Sequence, residues 1–230
     1  MPSPATIVII SAGISEPSST RLLADRLASK TLDQLAAQKI DATVATIELR
    51  SLGAEITQAA VTGVPGAKLQ RAIDQLAGAD AVIAATPVYK AGISGLFKLF
   101  IDVLDDDLLI AKPVVLTATA GSARHALVPD EQMRPLFAFM RSLVVPTSLF
   151  AAPDDWADPG LGSRIDRAAT ELATLVSSGV TDSIVRGAWH GGNARPSGAG
   201  PAFDGIDFDS DLMRLAAGGS LRRSDSSLGR

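Results

Sequence analysis

The sequence predicts an α/β protein: a five-stranded parallel sheet with helices on both faces, a three-layer α/β/α sandwich. Three observations carry this. Continuous apolar, β-branched runs recur, ATIVIIS at 5–11, DAVIAA at 80–85 and KPVVLTATA at 112–120, as strands buried on both faces require. Segments of helical period separate them. Strand and helix alternate along the chain, which demands parallel strands joined by right-handed crossovers.

Each element has its own signal. SSTRLLADRLASKTLDQLAAQK (18–39) sets Leu22, Leu23, Leu27, Leu32 and Leu35 along one helical side. ATVATIEL (42–49) alternates and reads as a strand nearer the edge. GAKLQRAIDQLAGA (66–79) is a helix with Leu69, Ile73 and Leu76 inward. SGLFKLFIDVLDD follows the third strand as its helix. DEQMRPLFAFMRSL follows the fourth, PTSLFAA is the fifth strand, and a helix near 161–178 closes the domain. The domain is thus expected over 1–180. Residues 181–230, Gly- and Ser-rich with GGNARPSGAGP at their centre, are expected to be a flexible tail or an arm packing on a partner subunit.

Composition narrows the function. The 230 residues carry 47% hydrophobic and 20% charged side chains, enough for one sizeable core. A formal charge of −4 is not that of a nucleic-acid binder. With no cysteine and two histidines, thiolate chemistry and Cys/His metal sites are excluded, and no metal is expected. ATIVIIS has no basic residue before it and is too short to span a bilayer, as is every other apolar run. No membrane association is expected, and a cytoplasmic location is.

In open parallel sheets ligands bind beyond the carboxyl ends of the strands, where strand order reverses. The loops there read SAGISEPSST, TPVYKAGIS and TATAGSARH. In the first, Ser18, Ser19 and Thr20 bring three hydroxyls to the start of a helix, a seat for a phosphate monoester or, more plainly, a helix cap. A dinucleotide fold wants G-x-G-x-x-G, but this loop has only Gly13. A P-loop wants Lys-Ser/Thr, but no lysine precedes Lys30. The second loop suits a planar, electron-accepting ring. Pro87 and Tyr89 line it, Gly92 lets backbone approach, Lys90 answers negative charge, and Ser94 caps the next helix or donates to the ligand. In the third, Gly121 allows close approach. Arg124 is either solvated or pairs with a nucleotide phosphate. His125 lacks a nucleophile, since GISG does not have G-x-S-x-G spacing; His190 in the tail has no assigned role.

TPVYKAGISGLFK, followed by KPVVLTATAGSARHALV and MRPLF, resembles the NADPH-dependent FMN reductases, and the likeness runs from about residue 5 to 178. It departs from some relatives in SAG after the first strand and in Glu131, where they carry tyrosine. The resemblance implies a flavodoxin-like fold and FMN with NADPH, or NADH, as cofactors. It puts the FMN phosphate near Ser11, Ser18, Ser19 and Thr20, and the isoalloxazine against Pro87, Val88, Tyr89 and Lys90 with Ser94 close by. Thr119, Gly121 and Ser122 would border the ring. It further implies supply of reduced flavin to a flavin-dependent monooxygenase, of the kind that includes the luciferase-like ones. An FMN-retaining quinone or azo reductase and a flavodoxin-type carrier stay open. No acid or base is needed at the reacting carbon, so no catalytic residue is assigned, and Lys90 is the best candidate for stabilising reduced flavin. A second apolar stripe on the third helix, Leu96, Leu99 and Val103, implies a homodimer or homotetramer contact.

Overall fold

In the computed structural model, residues 4–188 are described, and the expected tail beyond them, with His190, lies outside that range. The sheet order is β2(Ala42–Glu48), β1(Ala5–Ser11), β3(Ala81–Tyr89), β5(Pro113–Thr119), β6(Leu143–Val144), all parallel. Two short strands flank this path: β4(Gly92–Ile93) pairs antiparallel with β3, and β7(Leu149–Ala151) pairs with β5. The sheet therefore has seven strands where five were expected. Two causes account for the difference. The expected fifth strand, PTSLFAA (146–152), is strand only at β7, and β6 forms ahead of it, where Leu143 was expected to end a helix that stops at Phe139. Pro146, between the two strands, cannot donate to the ladder. The segment expected to be a loop after β3 is strand up to Tyr89, then a hairpin.

Among the described residues seven α-helices surround the sheet: α1(Ser19–Ala37), α2(Gly53–Thr62), α3(Ala67–Ala77), α4(Gly95–Asp102), α5(Arg134–Phe139), α6(Pro159–Ser177) and α7(Val180–Ala188). Period-2 alternation sends successive strand residues to opposite layers. Ile7, Ile9, Ile83 and Val115 pack with Leu23, Leu27 and Leu35 of α1 and Ile165 and Leu172 of α6. Val8, Ile10, Val82 and Leu116 pack on the other face with Ile56, Leu69, Phe97, Phe100 and Phe137. Both clusters exclude water, which makes three layers. Leu22, expected inward, is 46% exposed, because it lies off the stripe that Leu23 and Leu27 set.

The helix α2 was absent from the sequence expectation, and it changes the reading of α4. Leu96, Leu99 and Val103 are partly buried against the chain's own core, and α2 lies beside α4, with Leu96 Cδ1 3.8 Å from where a Cβ on Gly53 would sit. That stripe is half covered within the subunit. The expected boundary at residue 180 falls at the start of α7, which Thr181 Oγ1 ties to the Ala111 carbonyl at 2.7 Å.

Candidate active site

The chain leaves β1 toward β2 on one side and returns to β3 on the other, so the carboxyl ends of β1 and β3 form the switch point. Register aligns Ser11 with Ala85 and Pro87 with Thr119. The three predicted loops therefore meet at one edge.

The loop after β1 is drawn tightly onto α1. Ser18 is the N-cap, accepting from the Arg21 N–H at 3.2 Å. Thr20 is buried, and its hydroxyl pairs with that of Thr119 at 2.7 Å. Two of the three hydroxyls expected to meet a phosphate are thus engaged within the chain, and Ser19 is exposed. Ser11, wholly buried, has an Oγ with no hydrogen-bond partner. An unpaired buried hydroxyl costs about 1–3 kcal/mol, so a ligand acceptor there would remove a penalty. Gly13 makes the loop's path possible: a Cβ on it would stand 2.0 Å from Ser18 Oγ and 3.3 Å from Thr20 Cβ.

Charge beside this loop is already matched. Arg21 binds Asp25 at 2.6 Å and also Glu48, and Arg50 binds Glu16 at 2.8 Å. Burial opposes the Arg21 charge, but hydrogen bonds and charges from the two carboxylates hold its pKa above the usual arginine value. These arginines line an open cleft of about 420 Å³ together with the acids that neutralise them. They are poor anion clamps.

The second loop is a two-residue hairpin. Tyr89 pairs with Gly92, and Lys90 (φ 51°) and Ala91 (φ 67°) both adopt left-handed backbone. Hairpins of this size favour positive φ at both turn residues because it matches strand twist, and they normally use Asn or Gly there. Left-handed backbone costs L-residues roughly 1–2 kcal/mol each. Gln132, not anticipated from the sequence, spans the turn: its Oε1 accepts from the Ile93 N–H and its Nε2 donates to the Ala91 carbonyl, both at 3.1 Å. The room that Gly92 leaves is taken by Gln132 Oε1, 3.1 Å from a virtual Cβ.

Below the turn, Pro87 is buried and Val88 half-buried, while Tyr89 is 44% exposed. Ser94 is buried and caps α4 through the Phe97 N–H at 3.2 Å. Its own N–H donates to Thr86 Oγ1 at 3.0 Å. Of the two roles open to Ser94, the structure shows the cap. In the third loop Gly121 and Arg124 are exposed, and Ser122 and His125 half-buried. Lys90 and Arg124 make no ion pair among the described residues, which leaves both cations available to a ligand. Among the described residues there is no His/Asp/Glu cluster that could hold a metal, and Asp107 instead pairs with Arg141.

Residues 5–157 match the model of the NADPH-dependent FMN reductase family. The chain belongs to that family. The FMN reductase (NADPH) of Pseudomonas aeruginosa is 36% identical over 181 residues, covering 76% of this chain and 94% of that protein. The NADH-dependent FMN reductase SfnE of Pseudomonas putida is 34% identical over 177 residues, 75% of this chain and 90% of its own. An oxidoreductase structure from Corynebacterium diphtheriae superposes with a TM-score of 0.74 at 44% identity, covering 76% of this chain and 98% of that one. The apo NADH:FMN oxidoreductase EmoB gives 0.63 at 30%, covering 74% and 89%. This FMN reductase is accordingly a flavodoxin-like oxidoreductase that works with FMN and a reduced nicotinamide nucleotide. Among the described residues no helix is long and apolar enough to cross a membrane.

Proposed function

We propose that this reductase uses FMN as an exchangeable substrate and passes reduced flavin to a flavin-dependent monooxygenase. The supporting observation is the open ring platform: Tyr89 is 44% exposed at the tip of a hairpin, not enclosed in a crevice. Hydride transfer from the nicotinamide to the isoalloxazine is the chemistry that FMN supplies when bound.

The chain's own residues then have positional tasks. The orphaned Ser11 hydroxyl, exposed Ser19 and the N–H groups opening α1 receive the phosphate, favoured by the positive end of the helix dipole. Ser18 and Thr20 shape that seat from behind, through the cap and the bond to Thr119. Pro87, Val88 and Tyr89 support the ring, with Gly121 and Ser122 at its border. Lys90 faces charge developing on reduction, and Arg124 meets the nucleotide. The reductase domain is assigned to 1–180, in a homo-oligomer in the cytoplasm.

Anaerobic oxidation of NADPH and NADH, with FMN varied, tests this reading. Saturable, FMN-dependent oxidation with flavin lost on gel filtration is the expected result. FMN that stays bound and is reduced without added flavin would instead indicate a quinone or azo reductase.

A further inference from the structure

We propose that Gln132 is a positioning residue for flavin binding: its carboxamide holds the Tyr89–Gly92 turn in the shape that receives the ring. The inference rests on the FMN-reductase reading above, in which that turn carries the ring support.

The geometry is specific. One carboxamide serves two backbone groups two residues apart, accepting from the Ile93 N–H and donating to the Ala91 carbonyl. Only one orientation of the amide satisfies both, since a carbonyl oxygen cannot donate and an NH₂ cannot accept. Gly92 sits between those groups, and the left-handed pair Lys90 and Ala91 runs directly into them, a conformation that neither side chain favours. Neither residue carries the Asn or Gly chemistry that stabilises such a turn from within. The stabilisation comes from outside, across 39 to 41 residues of sequence.

The anchor is firm while the contact is not part of the core. Gln132 lies on a π-helical turn, Pro129–Met133, whose end residues Pro129 and Met133 are buried. Gln132 itself is exposed. Gly92 completes the arrangement, because a Cβ there would press on the amide oxygen at 3.1 Å. Removing the carboxamide leaves the hydrophobic layers untouched and frees only the turn that bears Tyr89 and Lys90.

The test compares the full-length wild type with Gln132→Ala, Gln132→Glu, Ala91→Gly and the Gln132→Ala/Ala91→Gly double variant. Three quantities are read: amide exchange at Ile93 in flavin-free protein, the dissociation constant for oxidised FMN without nucleotide, and the visible spectrum of bound FMN. Gln132→Ala is expected to accelerate Ile93 exchange and weaken FMN about tenfold, the loss of two net hydrogen bonds. Ala91→Gly, which adopts left-handed backbone without steric cost, should restore most of that affinity and the wild-type spectrum. Gln132→Glu keeps the acceptor for Ile93 but sets an anionic oxygen against the Ala91 carbonyl, so it should protect Ile93 yet bind FMN poorly. Unchanged FMN affinity in Gln132→Ala overturns the proposal, as does a loss that Ala91→Gly does not repair. A wild type that binds FMN without oxidising NAD(P)H refutes the reductase reading while the binding series still decides Gln132. A wild type that binds no FMN overturns both.

Discussion

Gly13→Ala is a sensitive probe of the loop after β1. The glycine φ is not in the left-handed region, so alanine is conformationally allowed and the effect is steric. The new methyl would lie 2.0 Å from Ser18 Oγ and 3.1 Å from Ser18 Cβ, far inside contact distance. Ser18 must swing away and abandon the α1 cap, at a cost of about 1 kcal/mol, or the loop must retreat, at about 1–3 kcal/mol. Restriction of the unfolded chain offsets roughly 0.4–1 kcal/mol. The net expectation is a destabilisation of about 1 kcal/mol, a fall in Tm of roughly 2–4 °C. Urea unfolding should show a lower midpoint with an unchanged slope. Ser18→Gly removes both clashing atoms and costs only a few tenths of a kcal/mol as a cap. In that background Gly13→Ala should cost much less, since only the 3.3 Å approach to Thr20 Cβ remains. An equal cost in both backgrounds would refute the claim that Ser18 is what Gly13 accommodates.

Three further outcomes follow from the site and its surroundings. Thr119→Val leaves the buried Thr20 hydroxyl unpaired and should cost about 1–3 kcal/mol in urea unfolding, whereas Thr20→Val/Thr119→Val should be closer to neutral. Lys90→Ala should lower kcat, and Arg124→Ala should raise KM for NADPH at unchanged KM for FMN; steady-state kinetics that leave both parameters at wild-type values would remove those roles. Burial lowers the Lys112 pKa from its usual 10.5, partly opposed by Asp80. The folded chain therefore loses that proton first, the unfolded chain binds more protons just below pH 10.5, and stability rises with pH there. Lys112→Met should flatten that rise in pH-dependent melting.

How legible the fold was depended on how local each signal is. The strands β1, β3 and β5 announce themselves because burial on both faces leaves no polar alternation. The helix α2 gave little sign: it has no side-chain N-cap and buries only Ile56 and Ala59. That Ser18, Thr20, Tyr89 and Thr119 gather at one edge of the sheet was readable, since strand ends and glycines mark it. What each hydroxyl does was not, because the Thr20–Thr119 bond joins residues 99 apart. The left-handed turn at Lys90 and Ala91 was hidden for the same reason. Its support comes from Gln132, and no periodicity connects an exposed glutamine to a hairpin 39 residues earlier.

The Thr20–Thr119 contact joins two like hydroxyls, and either oxygen can donate. Such a bond has two polarities separated only by rotation of two protons. With the proton of Thr20 in the bond, its lone pairs are left free; with the proton of Thr119 in the bond, Thr20 keeps a hydrogen it can offer to another acceptor. The heavy atoms need not move between these arrangements. A fixed arrangement of heavy atoms thereby holds a reversible electrical setting where β5 meets α1.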